Sequence, residues 1–136
     1  MKKYGFLWAC LGLLSFVSGH SQSISAEQVL EKAIAFHDPN GKWDQLKTSF
    51  KVVMETPNRP KRTSTIQVDF PKQLFMLTVE QGENTSFFNI TPNSCVITLN
   101  DSEDFSEEDK EKMRLTCERG NFMKDYYTYL YGLPMN

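Results

Sequence analysis

The sequence has 136 residues, of which 15 are Lys or Arg, 17 are Asp or Glu, and 40% are hydrophobic. This length allows one domain with a modest core, and the acidic balance argues against nucleic-acid binding, which relies on clustered basic charge. The seven glycines are scattered, so no phosphate-binding loop is present.

Residues 1–22 have the pattern of a secretory signal peptide. Two lysines near the start precede an uncharged stretch, Phe6 to Val17, and small and polar residues follow that stretch. An apolar stretch of roughly 12 residues is too short for a transmembrane helix, which needs about 20. After cleavage near Gln22 or Ser23, the remaining chain has 13 basic and 17 acidic residues, a net charge of −4. We expect residues 23–136 to form a single α+β domain in the periplasm or at the outer membrane.

A helix is predicted to begin at Ser25, because Ser25 to Gln28 has the Ser-x-x-Gln form of a capping box. Apolar residues then recur at helical spacing from Val29 to His37, so one face of this helix should be buried. The sequence Asp38-Pro39-Asn40-Gly41 predicts a turn at its end. The same loop offers oxygen ligands, but its glycine and acids are out of register for a calcium site, so the turn is favoured.

Alternation of apolar and polar residues predicts five strands between residues 48 and 99. In the first strand, which begins at Thr48, the side chains of Phe50, Val52 and Met54 should face the core. Short polar turns separate the strands, which indicates an antiparallel meander. The later strands are predicted at Thr63–Phe70, Leu74–Glu80, Thr85–Ile90 and Cys95–Leu99.

Two helices are predicted after the sheet. Ser106 precedes three acidic residues, which favour the positive end of a helix dipole, so a short exposed helix should begin there and end near Leu115. In the second helix, the segment from Phe122 to Tyr131 places large apolar side chains on most of the circumference. Such a helix needs a large apolar surface, and the sheet is the only candidate in this chain. Gly132 and Pro134 should end it.

Cys95 and Cys117 are the cysteines that remain after removal of the signal. In an oxidising compartment, an even pair of cysteines predicts a disulfide bond. The closed loop of about twenty residues would stabilise the fold by roughly 3 kcal/mol. A redox-active thiol is the alternative, but the pair lacks a Cys-x-x-Cys spacing.

No catalytic set can be assembled from the sequence. His37 is the single histidine after residue 22, and its place at a helix end favours a structural role. A Gly-x-Ser-x-Gly motif is missing, and no Cys, His and carboxylate ligands have the spacing of a zinc site. We assign no catalytic residue, no metal and no cofactor, and the question of enzymatic activity stays open.

Three segments resemble a family of uncharacterised exported proteins from Gram-negative bacteria. They are His37–Trp43, Val53–Pro57 and the segment from Leu115 to Met135, and the resemblance covers most of residues 24–135. Members of that family are longer, so the resemblance implies that this chain corresponds to their N-terminal half. It also implies a distant similarity to the half-open β-barrel of the lipoprotein carriers LolA and LolB, whose curved antiparallel sheet encloses an apolar cavity. An incomplete half-barrel of about five strands would leave an apolar sheet face open.

The sequence therefore predicts a non-catalytic, exported binding protein for a lipid or another apolar molecule. Large apolar side chains on the sheet and the last helix, without a catalytic set, favour this function. The alternatives are an enzyme completed by a further C-terminal half, with His37 and Asp38 contributing, and a structural module of the cell envelope. Peripheral membrane contact is compatible with the basic stretch 42–72, and the oligomeric state is open. The expected ligand-binding residues are Phe50, Val52, Met54, Ile66, Val68, Phe70, Phe75, Leu77, Tyr126 and Tyr129.

Overall fold

The computed structural model describes residues 24–135. The predicted signal peptide, residues 1–22, lies outside this range. The chain divides into two units, residues 1–31 and 32–136. The first helix, α1, spans Ala26–His37, so it begins in one unit and ends in the other.

The start of α1 has the predicted capping box. The Ser25 amide donates to Gln28 Oε1 at 3.1 Å, and the Gln28 amide donates to Ser25 Oγ at 3.3 Å. These bonds satisfy backbone groups that have no partner within the helix.

The turn predicted after α1 is also confirmed. The Asp38 carboxylate accepts the backbone amides of Lys42 and Trp43, both at 2.8 Å. Gly41 has a φ of 59°, a backbone conformation that glycine adopts without strain. A short 3-10 helix, Trp43–Gln45, then leads into the sheet.

We predicted that α1 buries one apolar face, and this prediction is wrong for the part of α1 in the second unit. Ile34 and Phe36 are both exposed, and Phe36 retains 81% of its accessible surface. The physical reason is that the last helix of the same unit occupies the apolar face of the sheet.

Five antiparallel strands form one meander in the order β1-β2-β3-β4-β5, as predicted. The sheet is curved and unclosed, because β1 and β5 remain its two edges. The fold class is therefore α+β. The strands are β1 (Lys47–Met54), β2 (Arg62–Asp69), β3 (Leu74–Gln81), β4 (Asn84–Thr91) and β5 (Ser94–Leu99).

The strand register arranges one face of the sheet, here called the inner face, in four rows. Directly paired residues point to the same side, so each row crosses several strands. In order, the rows are Thr48-Val68-Phe75-Ile90-Cys95, Phe50-Ile66-Leu77-Phe88-Ile97, Val52-Ser64-Val79-Ser86-Leu99 and Met54-Arg62-Gln81-Asn84. We call the end of the inner face with the first row the apolar end, and the end with the last row the basic end. The first two rows hold most of the buried core, whereas the last row is mostly polar.

A short helix, α2 (Glu107–Met113), follows the sheet and has no buried residue, as predicted. The Asp109 amide donates to Ser106 Oγ at 3.0 Å, so Ser106 is the expected cap. Arg114 ends α2 in the left-handed conformation, with a φ of 57°. Leu115, directly after it, is buried in the core.

The last helix, α3 (Cys117–Gly132), packs on the inner face against β4 and β5. The predicted disulfide between Cys95 and Cys117 is present and joins the start of α3 to β5. At Gly120 the helix backbone comes so close to the sheet that an added Cβ would lie 2.8 Å from Ile90 Cδ1.

The last helix packs against the sheet as predicted, but only one side of α3 is buried, although apolar side chains lie on most of its circumference. Gly120, Met123 and Tyr127 form the buried stripe at spacings of three and four residues. One sheet can cover only one side of a helix, so the opposite side is exposed. The exposed side carries Phe122, Tyr126, Tyr129 and Leu130.

Candidate ligand-binding site

The structure distributes the ten expected ligand-binding residues over three environments. Ile66, Val68, Phe75 and Leu77 are buried in the core. Three others pack against that core and are half-buried: Phe50, Val52 and Phe70. The remaining three are exposed, at 52% for Met54, 46% for Tyr126 and 54% for Tyr129. These residues do not meet in one cavity, because α3 covers the middle of the inner face.

Aromatic rings from distant segments cover the part of the inner face near β1. The ring of Tyr131 stacks with that of Phe50 at 4.9 Å between centroids and with that of Trp43 at 6.3 Å. Phe70 meets Trp43 edge to face at 5.1 Å. Tyr127 contacts the Phe50 ring at 6.2 Å. Trp43, Tyr127 and Tyr131 therefore serve packing in this aromatic cluster.

Two cavities remain where α3 leaves the inner face uncovered. The first, which we call the apolar cavity, has a volume of about 410 Å³ and lies at the apolar end. It is lined by three of the expected residues, Val68, Phe70 and Phe75, with Leu74, Ile90 and Pro92 among their neighbours.

The second, which we call the basic cavity, has a volume of about 510 Å³ and lies at the basic end. Its floor is apolar and consists of Leu77, Val79, Phe88, Met113 and Met123. Its polar uncharged residues include Gln81, Asn84 and Ser86. Its charged residues are Arg59, Arg62, Lys112, Arg114 and Arg119, and no Asp or Glu is among the residues lining it.

Separate elements bring these cations together. Arg59 lies in the turn between β1 and β2, and Arg62 begins β2 in the polar row of the inner face. Arg114 is the left-handed residue that ends α2. Arg119 lies in the first turn of α3, where its backbone amide donates to Thr116 Oγ1 at 3.1 Å. All four arginines of the sequence therefore line one cavity.

The arginines have no acidic partner among residues 24–135. The ion pairs in this part of the chain, with nitrogen–oxygen distances of 3.1 to 4.0 Å, all use lysines. Glu107, Glu111 and Glu118 line an adjoining depression, yet none of them pairs with an arginine within this limit. The Nε of Arg62 is buried and has no hydrogen-bond partner in the described structure.

Mutual repulsion accompanies this arrangement. Burial lowers the pKa of Arg119, and the positive charges of Arg114 and Arg62 lower it further. The guanidinium nevertheless stays charged at neutral pH. Its carbon atom lies 5.0 Å from the centroid of the Phe122 ring, a cation–π contact on the exposed side of α3. The basic cavity therefore gathers positive charges that form no ion pair within 4.0 Å among the described residues.

The geometry gives no support to chemistry at His37. Both carboxylate oxygens of its neighbour Asp38 accept backbone amides, so Asp38 serves the turn. His37 lines a separate depression with Trp43, Tyr131 and Leu133. Within the described range, no three His, Cys, Asp or Glu side chains are grouped to hold a metal ion, and no helix has the length and apolarity to cross a membrane.

Sequence reasoning missed the basic cavity. The arginines are 3, 52 and 5 positions apart along the chain, so no short motif marks them. The net negative charge of the chain also gives no sign of the arginine cluster, because net charge does not report where the cations lie. Their one sequence signal is that β2 begins with Arg62 on the face that was otherwise assigned to apolar residues.

Comparison with known proteins gives one match. The model of a family described as "Family of unknown function (DUF6503)" matches residues 2–136. Neither the curated proteins nor the solved structures contain a match to the chain.

Proposed function

The chain belongs to the Family of unknown function (DUF6503), and from its structure we propose that it is a non-catalytic binding protein for a lipid or another apolar molecule. The basic cavity is the proposed binding site. The observation that carries the proposal is the apolar floor of this cavity, to which β3, β4 and α3 contribute side chains.

The size and lining of the basic cavity suit a small ligand. Its volume of about 510 Å³ falls within the range of roughly 300 to 1,000 Å³ that is usual for ligand sites. Its floor would remove part of an acyl chain from water, which contributes about 0.8 kcal/mol for each buried methylene group. The apolar cavity offers a second surface of the same kind on the inner face.

Export to the cell envelope is part of this proposal. The disulfide between Cys95 and Cys117 supports it, because such bonds persist in oxidising compartments. The signal-like sequence of residues 1–22 points the same way. The distant similarity to LolA and LolB that the family resemblance implies would add the analogy of a lipid carrier in the periplasm or at the outer membrane.

The first test is direct binding of lauric acid to the full chain, isolated after export and delipidated. Isothermal titration calorimetry should show saturable binding with a negative heat-capacity change, the mark of apolar burial. Native mass spectrometry of the protein before delipidation should show added mass. Absence of both signals would remove the proposed function.

A pair of tryptophan variants locates the site. Val79→Trp fills the basic cavity from its floor and should weaken lauric acid binding at least about tenfold, since filling the site displaces the chain. Thr78→Trp is the matched control, because Thr78 is the adjacent half-buried residue on the opposite face of β3 and does not line this cavity. Equal binding by both variants would place the ligand elsewhere.

A further inference from the structure

The basic cavity combines two features that a purely apolar ligand does not require. Four arginines and Lys112 surround it, and no carboxylate lines it. Arginine presents a planar fork of donors that matches the oxygens of a carboxylate or a phosphate. An apolar floor below these donors adds a surface for a hydrocarbon tail.

We propose that the basic cavity binds the carboxylate or phosphate group of an amphiphilic ligand through its arginines, while the tail lies on its apolar floor. This inference rests on the proposed function, since it specifies the ligand class of the same site. The recognition residues are Arg62 and Arg119, aided by Arg59, Arg114 and Lys112.

The unsatisfied state of these groups supports the assignment. A buried polar atom without a partner is destabilising, and Arg62 Nε is such an atom within the described range. Like charges close together are destabilising as well, and the positive charges of Arg114 and Arg62 repel that of Arg119, which lines the same cavity. A bound oxyanion would accept hydrogen bonds from the guanidinium groups, and its negative charge would reduce the repulsion between them. An arrangement that only stabilised the fold would pair these arginines with the glutamates nearby, and it does not.

The experiment compares ligands that share one hydrocarbon chain and differ in the head group. Lauric acid, lauryl phosphate and lauryl alcohol are titrated into the full delipidated chain by calorimetry, and inorganic phosphate is titrated alone. The acid and the phosphate ester should bind at least about tenfold more tightly than the alcohol, as charge-assisted hydrogen bonds predict. Added salt should reduce the difference in affinity between the charged compounds and the alcohol, because the cavity is open enough for dissolved ions to screen the arginine charges.

Arginine variants show whether the head-group preference comes from this cavity. Arg62→Gln and Arg119→Gln should each reduce the preference for the acid over the alcohol by about fivefold or more, with little change in binding of the alcohol. Lys51→Gln is the control, because Lys51 is an exposed cation on β1 that does not line the cavity. The melting temperature of Arg62→Gln should equal or exceed that of the original protein, which separates lost recognition from lost folding.

Each other outcome has a distinct meaning. Equal binding of lauric acid and lauryl alcohol would overturn the oxyanion inference and leave the proposed function standing. If inorganic phosphate binds as tightly as lauryl phosphate, the hydrocarbon tail contributes nothing to affinity. That result would overturn the inference that the ligand is amphiphilic. Failure of all three lauryl compounds to bind would remove the proposed function itself.

Discussion

The two ends of the inner face differ in how their side chains are satisfied. At the apolar end, Phe75 is buried, and the nearby ring of Tyr131 stacks against Phe50 and Trp43. At the basic end, Arg62 has a buried nitrogen without a partner and lies close enough to Arg119 to lower its pKa. The first arrangement stabilises the folded chain, whereas the second opposes it. Folding and the proposed binding therefore use separate parts of one sheet.

The largest expected effect comes from removing a side chain at the apolar end. Phe75→Ala should lower the free energy of unfolding by about 3 to 5 kcal/mol, because it leaves a cavity in a packed core. Urea unfolding measures this change. Tyr129→Ala is the control, since Tyr129 lies on the exposed side of α3, and its effect should stay within about 0.5 kcal/mol. Similar losses for the two variants would contradict the division between buried and exposed faces.

The disulfide is the next largest contribution at this end. Replacing both Cys95 and Cys117 by Ala should lower the free energy of unfolding by about 3 kcal/mol. The disulfide joins residues 22 positions apart, and without it the unfolded chain gains conformational entropy. A reductant should destabilise the original protein by a similar amount and leave the double variant unchanged. Sensitivity of the double variant to reductant would contradict this account.

The close approach of α3 to the sheet gives a smaller effect. Gly120→Ala should destabilise the protein by about 1 to 2 kcal/mol, because overpacking against Ile90 exceeds the helical preference of Ala. Adding Ile90→Val removes the Cδ1 atom that the new methyl group would meet at 2.8 Å. The double variant should therefore lose less stability than the sum of the two single variants, as a double-mutant cycle measures.

The smallest effect has the opposite sign and belongs to the basic end. Arg62→Gln should raise the free energy of unfolding by about 0.5 kcal/mol at low salt, because it removes a charge that repels Arg119. The gain should shrink at high salt as the charges are screened. Lys51→Gln, measured in parallel, should show no such gain. A clear loss of stability in Arg62→Gln would assign the arginines a structural role.

Much of the fold could be predicted because its signals are local. The capping box at Ser25, the helix cap at Ser106, the turn at Asp38 and the strand bounds each depend on residues a few positions apart. Strands were placed to within about two residues at each end. Turns of two to seven residues left adjacent pairing as the simplest arrangement, so the meander followed as well.

The helix face in contact with the sheet was harder to predict. The last helix carries aromatic residues on several sides, so its composition did not identify the inward stripe. Tyr126 and Tyr129 were chosen as ligand-binding residues, whereas Tyr127 is the one buried on the sheet. The structure fixes this choice through the disulfide at Cys117 and the close approach at Gly120, which together set the rotation of α3.

The α+β class and the order of the strands follow from local periodicity and short turns, and the disulfide follows from the two cysteines that remain after residue 22. Which apolar side chains border a cavity depends on tertiary packing. Tertiary packing also brings two arginines from the first hairpin of the sheet and two from the helical segment after the sheet to one cavity. The reason is that long-range proximity depends on strand register and helix rotation, which side chains distant in sequence fix together.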